Sequence, residues 1–181
     1  MKSLFLKCTR ITACGLFALG TLWASAQAQM QTQTPANPAD MIPDKMPFDL
    51  PFGTPIKLEK ADQVLSAAVA EALKRDWKLV CSVSDPYGQM VAMKRMDNAQ
   101  IASIDIAVHK ARTAAKYRRE TKLFELGIAN NPYLGTLDDV IASRGGVPLV
   151  ESGKLIGAIG CSGGTGSQDE VVAKTGAALV K

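Results

Sequence analysis

Two short turns, each lying between two apolar strand-like runs, constrain the fold more than any other feature of the sequence. Residues 85–88, DPYG, have proline at the second position and glycine at the fourth, which is the pattern of a type I turn. Residues 152–153, SG, form a two-residue connection. Connections this short join antiparallel neighbours, so each turn predicts a β-hairpin. The strand-like runs are residues 78–84 and 89–95 in the first hairpin, and 147–151 and 154–161 in the second.

Helical periodicity marks the segments around the two hairpins. Apolar residues at three- and four-residue spacings predict helices over residues 58–76, from 97 to about 118, and over 167–180. Shorter helices are predicted over 121–126 and 136–143. The order α-β-β-α-(α)-β-β-α lacks βαβ alternation. It therefore predicts an α+β domain, with a central antiparallel sheet flanked by helices, and not a doubly wound parallel sheet.

Two of these helices carry more specific expectations. Asp97 and Gln100 have the spacing of an N-terminal cap, and Ser167 and Glu170 that of a capping box. In the second helix the predicted buried stripe is Ile101, Ile104, Val108, Ala111 and Ala115. In the last helix the residues predicted to point inward are Val171, Val172, Thr175 and Leu179.

The first 55 residues are predicted to lie outside the folded domain. Residues 1–28 combine a basic start, a short apolar run and small-x-small cleavage sites at Ala26 and Ala28, which is typical of a secretory signal peptide. The apolar run is too short for a stable transmembrane helix. Residues 29–55 are rich in proline and are predicted to be an extended or disordered leader. The domain is then residues 56–181, and the protein is expected to be periplasmic or secreted.

Export changes what the charge and the cysteines indicate. Three of the 21 basic residues and none of the 17 acidic residues lie in residues 1–28, which leaves a net charge of +1 and argues against a nucleic-acid partner. Cys81 and Cys161 remain after cleavage. An oxidising compartment permits a disulfide between them, but both lie in apolar runs where cysteine also serves as a small buried side chain. The sequence leaves both alternatives open.

The glycine-rich stretch GAIGCSGGTGSQDE, residues 157–170, resembles a phosphate-binding loop and contains a match to the G-x-S-x-G nucleophile pattern, but the surrounding sequence favours neither function. A phosphate-binding P-loop needs a lysine, and no lysine lies between Lys154 and Lys174. The GCSGG match to a hydrolase nucleophile motif lacks a histidine after Ser162. The chain's one histidine, His109, lies upstream of it.

The second helix carries the candidate chemistry. Asp105, His109, Arg112, Thr113 and Lys116 share one face by helical spacing, and Lys110 borders it. A neutral imidazole can bind a metal, and Asp105 one turn back can fix its tautomer. The plainer interpretation is a solvated polar face that contains a lone histidine.

These segments resemble a known family. SVSDPYGQMVAMKRMDNAQIASIDIAVHKARTAAKYRRET, followed by RGGVPLVESGKLIGAIGCSGGTGSQDEVVAKTGAAL, is similar to the GlcG/HbpS family, which includes the C-terminal domain of PduO-type proteins. The resemblance covers about residues 58–180 and rests on several motifs in order. They are the turn after the first strand, the K-A-x-T-A helix, G-G-V-P, and a glycine-rich stretch that ends in Q-D-E.

The resemblance implies a profilin-like or PAS-like fold, homo-oligomers and binding of haem or a related tetrapyrrole, in some members with haem degradation or sensing. It maps the haem site onto Lys110 and Thr113 of the K-A-x-T-A helix. The polar-basic face of that helix, with His109 and Arg112, is predicted to contribute as well. His109 lies outside the family motif, so its role as a haem iron ligand is a hypothesis from this sequence.

Two alternatives remain beside haem binding. Arg112 and Lys116 favour a non-enzymatic module that binds a small carboxylate. A haem-degrading oxidoreductase is the second alternative, although no residue of the sequence is identified as its general acid or base.

Overall fold

Residues 44–180, the part of the chain that this computed structural model describes, contain four strands and four α-helices. In chain order they are α1 (Leu58–Lys74), β1 (Val80–Ser84), β2 (Met90–Arg95), α2 (Ser103–Lys116), α3 (Lys122–Ile128), β3 (Gly146–Glu151), β4 (Lys154–Ser162) and α4 (Gly166–Ala177), with a 3₁₀ helix at Pro132–Thr136 after α3. The predicted signal peptide and residues 29–43 of the predicted leader lie outside the described residues.

The four strands form one antiparallel sheet in the order β2-β1-β4-β3. Both predicted hairpins are present, and the second pairs its strands from Gly146 with Gly160 to Glu151 with Lys154. The central pair, β1 and β4, joins the two hairpins. The predicted α+β class with a central antiparallel sheet is confirmed.

Helices cover the sheet on both faces. Cys81, Val83 and Ile159 point to the face that α1 and α4 cover, and they belong to the main apolar core with Leu65 and Val172 of those helices. Alternate residues of the same strands point to the other face, where α2 packs on β1, β3 and β4. The sheet therefore has a large apolar core on one face and a single helix on the other.

A disulfide joins the two central strands at the core face. Cys81 and Cys161 are direct partners in the pairing of β1 with β4, and the structure links their sulfur atoms. Both residues are buried. Of the two alternatives that the sequence left open, the structure has the disulfide and not a pair of free buried thiols.

The described end of the leader is bonded to the sheet. Leu155 N donates to Pro51 O at 2.8 Å, and Gly53 N donates to Leu155 O at 2.7 Å. Ile56 N donates to Ile156 O at 2.8 Å. Since the last β4 partner of β1 is Ala158, residues 51–56 lie beside the part of β4 that β1 does not reach.

Helix α2 lies very close to the sheet because β4 has no side chain at Gly160. A Cβ atom at that position would clash with the carbonyl oxygen of Ala107 and the amide nitrogen of Ala111. Only small side chains fit between two backbones at this separation. The buried residues of α2 are, apart from Lys110, correspondingly small: Ser103, Ala107, Ala111, Thr113, Ala114 and Ala115.

This close approach corrects the predicted stripe of α2. Ile101 precedes the helix and is 80% exposed, while Ile104 and Val108 are only half-buried. The predicted cap at Asp97 is also wrong, since α2 begins at Ser103 without a side-chain cap. Apolar periodicity located the helix, but the size of the side chains that the sheet accepts decides which face is buried.

Three further local predictions are wrong. Residues 137–143 are not helical, because the chain there follows a 3₁₀ helix with an irregular loop. The capping box of α4 is Thr165 with Gln168, two residues before the predicted pair. Of the residues predicted to point inward on α4, Val172 is buried, whereas Val171 and Leu179 are exposed.

Lys110 is the one long side chain on the inner face of α2, and it forms a buried ion pair. Its side chain is 1% exposed, and its Nζ lies 2.7 Å from Oδ2 of Asp169, which is 3% exposed. Asp169 stands in the first turn of α4, on the opposite face of the sheet. Its other oxygen accepts from Gly164 N at 3.0 Å. The pair therefore connects the two helical layers at the edge of the sheet.

Burial raises the pKa of the Asp169 carboxyl above its ordinary value. The charge of Lys110 and the hydrogen bonds that the carboxylate accepts act in the opposite direction. Lys110 thus favours the ionised form of Asp169 against the effect of burial.

Replacement of Gly160 by alanine should strongly destabilise the protein. The added methyl group meets backbone atoms of α2, which cannot move aside without displacing the helix, so we expect a loss of at least about 1–3 kcal/mol in the free energy of unfolding. Gly135→Ala is the matched control, because its Cβ would meet only the end of the Ile128 side chain, at 3.2 Å. Equal denaturant midpoints for the two variants would contradict the close packing of α2.

Removal of one partner of the buried pair should cost more than removal of an exposed pair's partner. Lys110→Met leaves Asp169 buried without its cation, and we expect a loss of about 3–5 kcal/mol in chemical denaturation. The control is Lys60→Met, whose partner Glu151 is 41% exposed, with an expected change of about 0–1 kcal/mol. The double variant Lys110→Met/Asp169→Leu should recover much of the loss; a double variant as unstable as the sum of its single changes would contradict the pairing.

Candidate functional site

The four predicted site residues all lie on α2, but they divide into two pairs. Lys110 and Thr113 are buried on the side that faces the sheet and the following loop. His109 and Arg112 are half-buried and reach the surface. The helix therefore places two of the four side chains where an external ligand has access to them. Their roles toward a ligand stay predictions.

Thr113 holds the loop of residues 137–141 against the helix. Its Oγ1 donates to the carbonyl oxygen of Asp139 at 2.6 Å and accepts from Ile141 N at 3.1 Å. Tyr117 donates its hydroxyl to Asp138 O at 2.6 Å. We call residues 137–141 the strap. With both bonds of its hydroxyl made inside the protein, Thr113 orders the strap over the end of α2.

The strap brings a carboxylate to the basic face of α2. Asp139 pairs with Lys116, and its Oδ1 lies 3.7 Å from Nη1 of Arg112. The hydrogen bond from Lys116 is the main cause that lowers the pKa of the Asp139 carboxyl, and the charges of Arg112 and His109 add to it. Sequence reasoning missed Asp139, because its position depends on how an irregular loop folds back.

Arg112 also makes a long contact with the first hairpin. Its Nε donates to the carbonyl oxygen of Gly88, in the turn between β1 and β2, at 3.4 Å. The C-terminal half of α2 thus lies beside that turn. Arg112 and Lys116 are in this way both engaged within the protein.

An uncovered apolar surface lies on the β2 side of α2. Ser84 donates to Ala111 O at 3.4 Å, so the alternate residues of β1 that include Ser82 and Ser84 face α2. Their partners on β2, Met93 and Met90, point to the same side. Both methionines are exposed, because α2 lies over β1 and β4 and only touches β2. Val108 and Ile104 lie one and two turns before Arg112, which contacts the same hairpin, and with Ile101 and the two methionines they make up what we call the β2 face.

His109 follows Val108 of the β2 face and is half-buried, and Asp105, one turn back, is exposed. Among residues 44–180 there is no cluster of three or more histidine, cysteine, aspartate or glutamate side chains that could hold a metal ion alone. A haem iron is different, since the porphyrin supplies four of its ligands and the protein one or two. One histidine beside an apolar surface is chemically suited to that need.

The glycine-rich stretch is part of the scaffold. Ser162 donates to Ser103 Oγ at 3.2 Å, and this bond joins the end of β4 to the start of α2 inside the protein. Cys161 is bound in the disulfide. Glu170, at the end of the stretch, lies beside Lys122, Arg144 and Lys174. Burial acts to raise the pKa of its carboxyl, but the hydrogen bonds and charges of Lys174 and Lys122 outweigh that effect and lower it.

Comparisons with known proteins agree with this architecture. The family model described as "Haem degrading protein HbpS-like" matches residues 56–178. The chain is 40% identical to protein GlcG of Escherichia coli K12 over 105 residues, which cover 58% of this chain and 78% of GlcG.

Two solved structures are similar across nearly their whole length. A double mutant of Streptomyces reticuli HbpS is 30% identical, with a TM-score of 0.68 over 80% of this chain and 99% of that one. The structure of a PduOC:heme complex is 27% identical, with a TM-score of 0.64 over 71% of this chain and 96% of that one. The resemblance on which the sequence analysis relied is thereby confirmed, and the chain belongs to the HbpS-like family.

Proposed function

We propose that the protein binds haem and that His109 supplies a ligand to the iron. The observation that carries this proposal is the position of the chain's only histidine, half-buried on α2 near the exposed β2 face. The similarity to a PduOC:heme complex and the HbpS-like family supports it. Haem sequestration or sensing would follow from such binding.

The β2 face has the chemistry that a porphyrin needs. A haem ring buries its two apolar faces and leaves its propionates for cations. Met90, Met93 and Ile101 offer exposed apolar surface. Arg95 pairs with Val80, which places it on the same side of the sheet, and its side chain is exposed. A haem ring on the β2 face would thus have Arg95 near it, a cation that does not pair with Asp139 of the strap.

Lys110 and Thr113 have a positioning role in this proposal. Lys110 ties α2 to α4 through Asp169, and Thr113 anchors the strap, so both fix the helix that presents His109. Neither side chain needs to touch the haem. Bound haem would receive iron and redox chemistry from the cofactor, while the protein orients the ring and excludes water from it.

The structure bears differently on the two alternatives to simple haem binding. The small-carboxylate module relied on Arg112 and Lys116, and the carboxylate of Asp139 already lies against both. Haem degradation requires a further reaction of the bound haem. It would be detected as loss of the Soret band after a reductant is added, at a higher rate than for free haemin. Homo-oligomerisation stays a prediction, which light scattering on the same sample tests.

Titration of the untagged protein with haemin should shift the Soret band, and His109→Ala should remove or alter that shift. The protein must carry no histidine tag, because His109 is then the only imidazole in the chain. Gln63→Ala on α1 is the control, since it lies on the opposite face of the sheet and should leave the spectrum unchanged. An unshifted wild-type spectrum would refute haem binding, and a His109→Ala spectrum identical to wild type would refute the ligand.

We also propose that the protein is exported to the periplasm or secreted. The signal-peptide pattern of residues 1–28 motivates this, and the Cys81–Cys161 disulfide supports it, because disulfides persist in oxidising compartments. Protein isolated from the native cell should begin at Gln27 or Gln29 by N-terminal mass spectrometry. A mature chain that still begins at Met1 would rule out cleavage.

A further inference from the structure

Two adjacent arginines after α2 lie beside an apolar groove, outside the surface described above. Arg118 and Arg119 line this groove, which has a volume of about 530 Å³. Its apolar walls come from the leader, α3 and the edge strand β3: Leu50, Leu123, Val147, Pro148 and Val150. The groove therefore combines a concave apolar surface with two positive charges.

Within residues 44–180 neither arginine forms a salt bridge, although the neighbouring cations do. Lys116 pairs with Asp139, and Lys122 lies 3.2 Å from Glu170. Arg118 instead donates one Nη1 bond to Leu50 O at 2.9 Å, and Arg119 donates its Nε to Tyr117 O at 3.1 Å. Each guanidinium has five N–H donors, so most of them remain for another acceptor.

Aromatic rings hold both guanidiniums in place. Arg119 lies over Phe48 at 3.6 Å and also over Phe124 at 5.2 Å, while Arg118 lies over Phe52 at 5.4 Å. These rings attract the cations, but they offer no acceptor for the N–H groups that lie in the plane of each guanidinium. Burial, with the adjacent charge of Arg118, lowers the pKa of Arg119 below its ordinary value, as expected for a cation without an anion beside it.

The groove contains one carboxylate, and it is engaged elsewhere. Glu120 lines the rim, and its Oε2 lies 3.1 Å from Nζ of Lys174 on α4. An incoming anion would meet two guanidiniums and one carboxylate, and that carboxylate is paired with a lysine that it shares with Glu170. The net charge at the groove therefore favours a negative ligand.

We propose that this groove binds a small amphipathic carboxylate, whose apolar body lies against β3 and Leu123 and whose carboxylate is held by Arg118 and Arg119. Bidentate geometry makes a carboxylate the natural partner of a guanidinium, and the volume lies within the range of about 300–1,000 Å³ that is common for small-molecule sites. The site is separate from the β2 face, and it does not depend on haem binding.

Isothermal titration calorimetry of the full chain with decanoate tests this proposal. The decanoate is kept below the concentration at which it forms micelles. We expect saturable binding of one decanoate per chain, and weaker binding of 1-decanol, which has the same body without the charge. Arg118→Gln/Arg119→Gln should weaken decanoate binding at least about tenfold, because charge-assisted hydrogen bonds are lost. Lys122→Gln/Lys154→Gln removes two cations that do not line the groove and should leave the affinity unchanged.

A second variant keeps the test valid if the arginine variant is unstable. Leu123→Glu puts a carboxylate on the groove wall at a position that is 45% exposed, so the fold should tolerate it. The new carboxylate should occupy the arginines and also reduce decanoate binding at least about tenfold.

Several results would overturn the proposal: no saturable binding to the folded wild type, equal affinities for decanoate and 1-decanol, or unchanged affinity in both groove variants. A change of oligomeric state in both variants would assign the groove to a second copy of the chain instead. The haemin titration of Arg118→Gln/Arg119→Gln should match that of the wild type, and loss of haemin binding together with decanoate binding would refute a separate site. If the wild type binds no haemin, the decanoate result still stands.

Discussion

The contact between the backbone of α2 and Gly160 of β4 sets the geometry of one whole side of the protein. With the helix this close, its inner face holds mainly alanine and serine, and the larger Ile104 and Val108 move to its flank. That displacement leaves apolar surface beside β2 and places His109 near it. The position of the candidate haem surface is in this sense a consequence of one missing side chain.

The buried pair of Lys110 and Asp169 complements that contact. Contacts between small apolar residues would allow α2 to slide or rotate on the sheet. An ion pair with 2.7 Å between its atoms fixes one orientation of the helix. The pair joins helices on opposite faces of the sheet, so it also aligns the two layers. The charge of Lys110 and the hydrogen bond from Gly164 offset part of its cost in desolvation. We infer that it serves specificity of the arrangement more than stability, which the apolar double variant measures.

The hairpins and the α+β class were predictable because short turns and alternating runs are local signals. The buried face of α2 was not, since apolar periodicity cannot reveal that Gly160 of another element demands small neighbours. Lys110 and Thr113 were assigned to a haem site by resemblance, and their internal partners Asp169 and Asp139 lie far away in the sequence. Residues 136–143, which include the strap, were predicted as a short helix, but the shape of the strap depends on hydrogen bonds to α2. Contacts between residues that are far apart in the chain produce no periodic pattern in the sequence.

The disulfide has a consequence for the order of events during folding. Cys81 and Cys161 lie under α1 and α4, and both are buried in the finished core. Thiol–disulfide exchange requires that a thiolate be reached in line by its attacking partner. The two thiols must therefore be oxidised before α1 and α4 close over the sheet, or during a transient opening of that layer. Once the layer is closed, the same burial shields the bond from reductants, so exposure of this bridge reports on the opening of one helical layer.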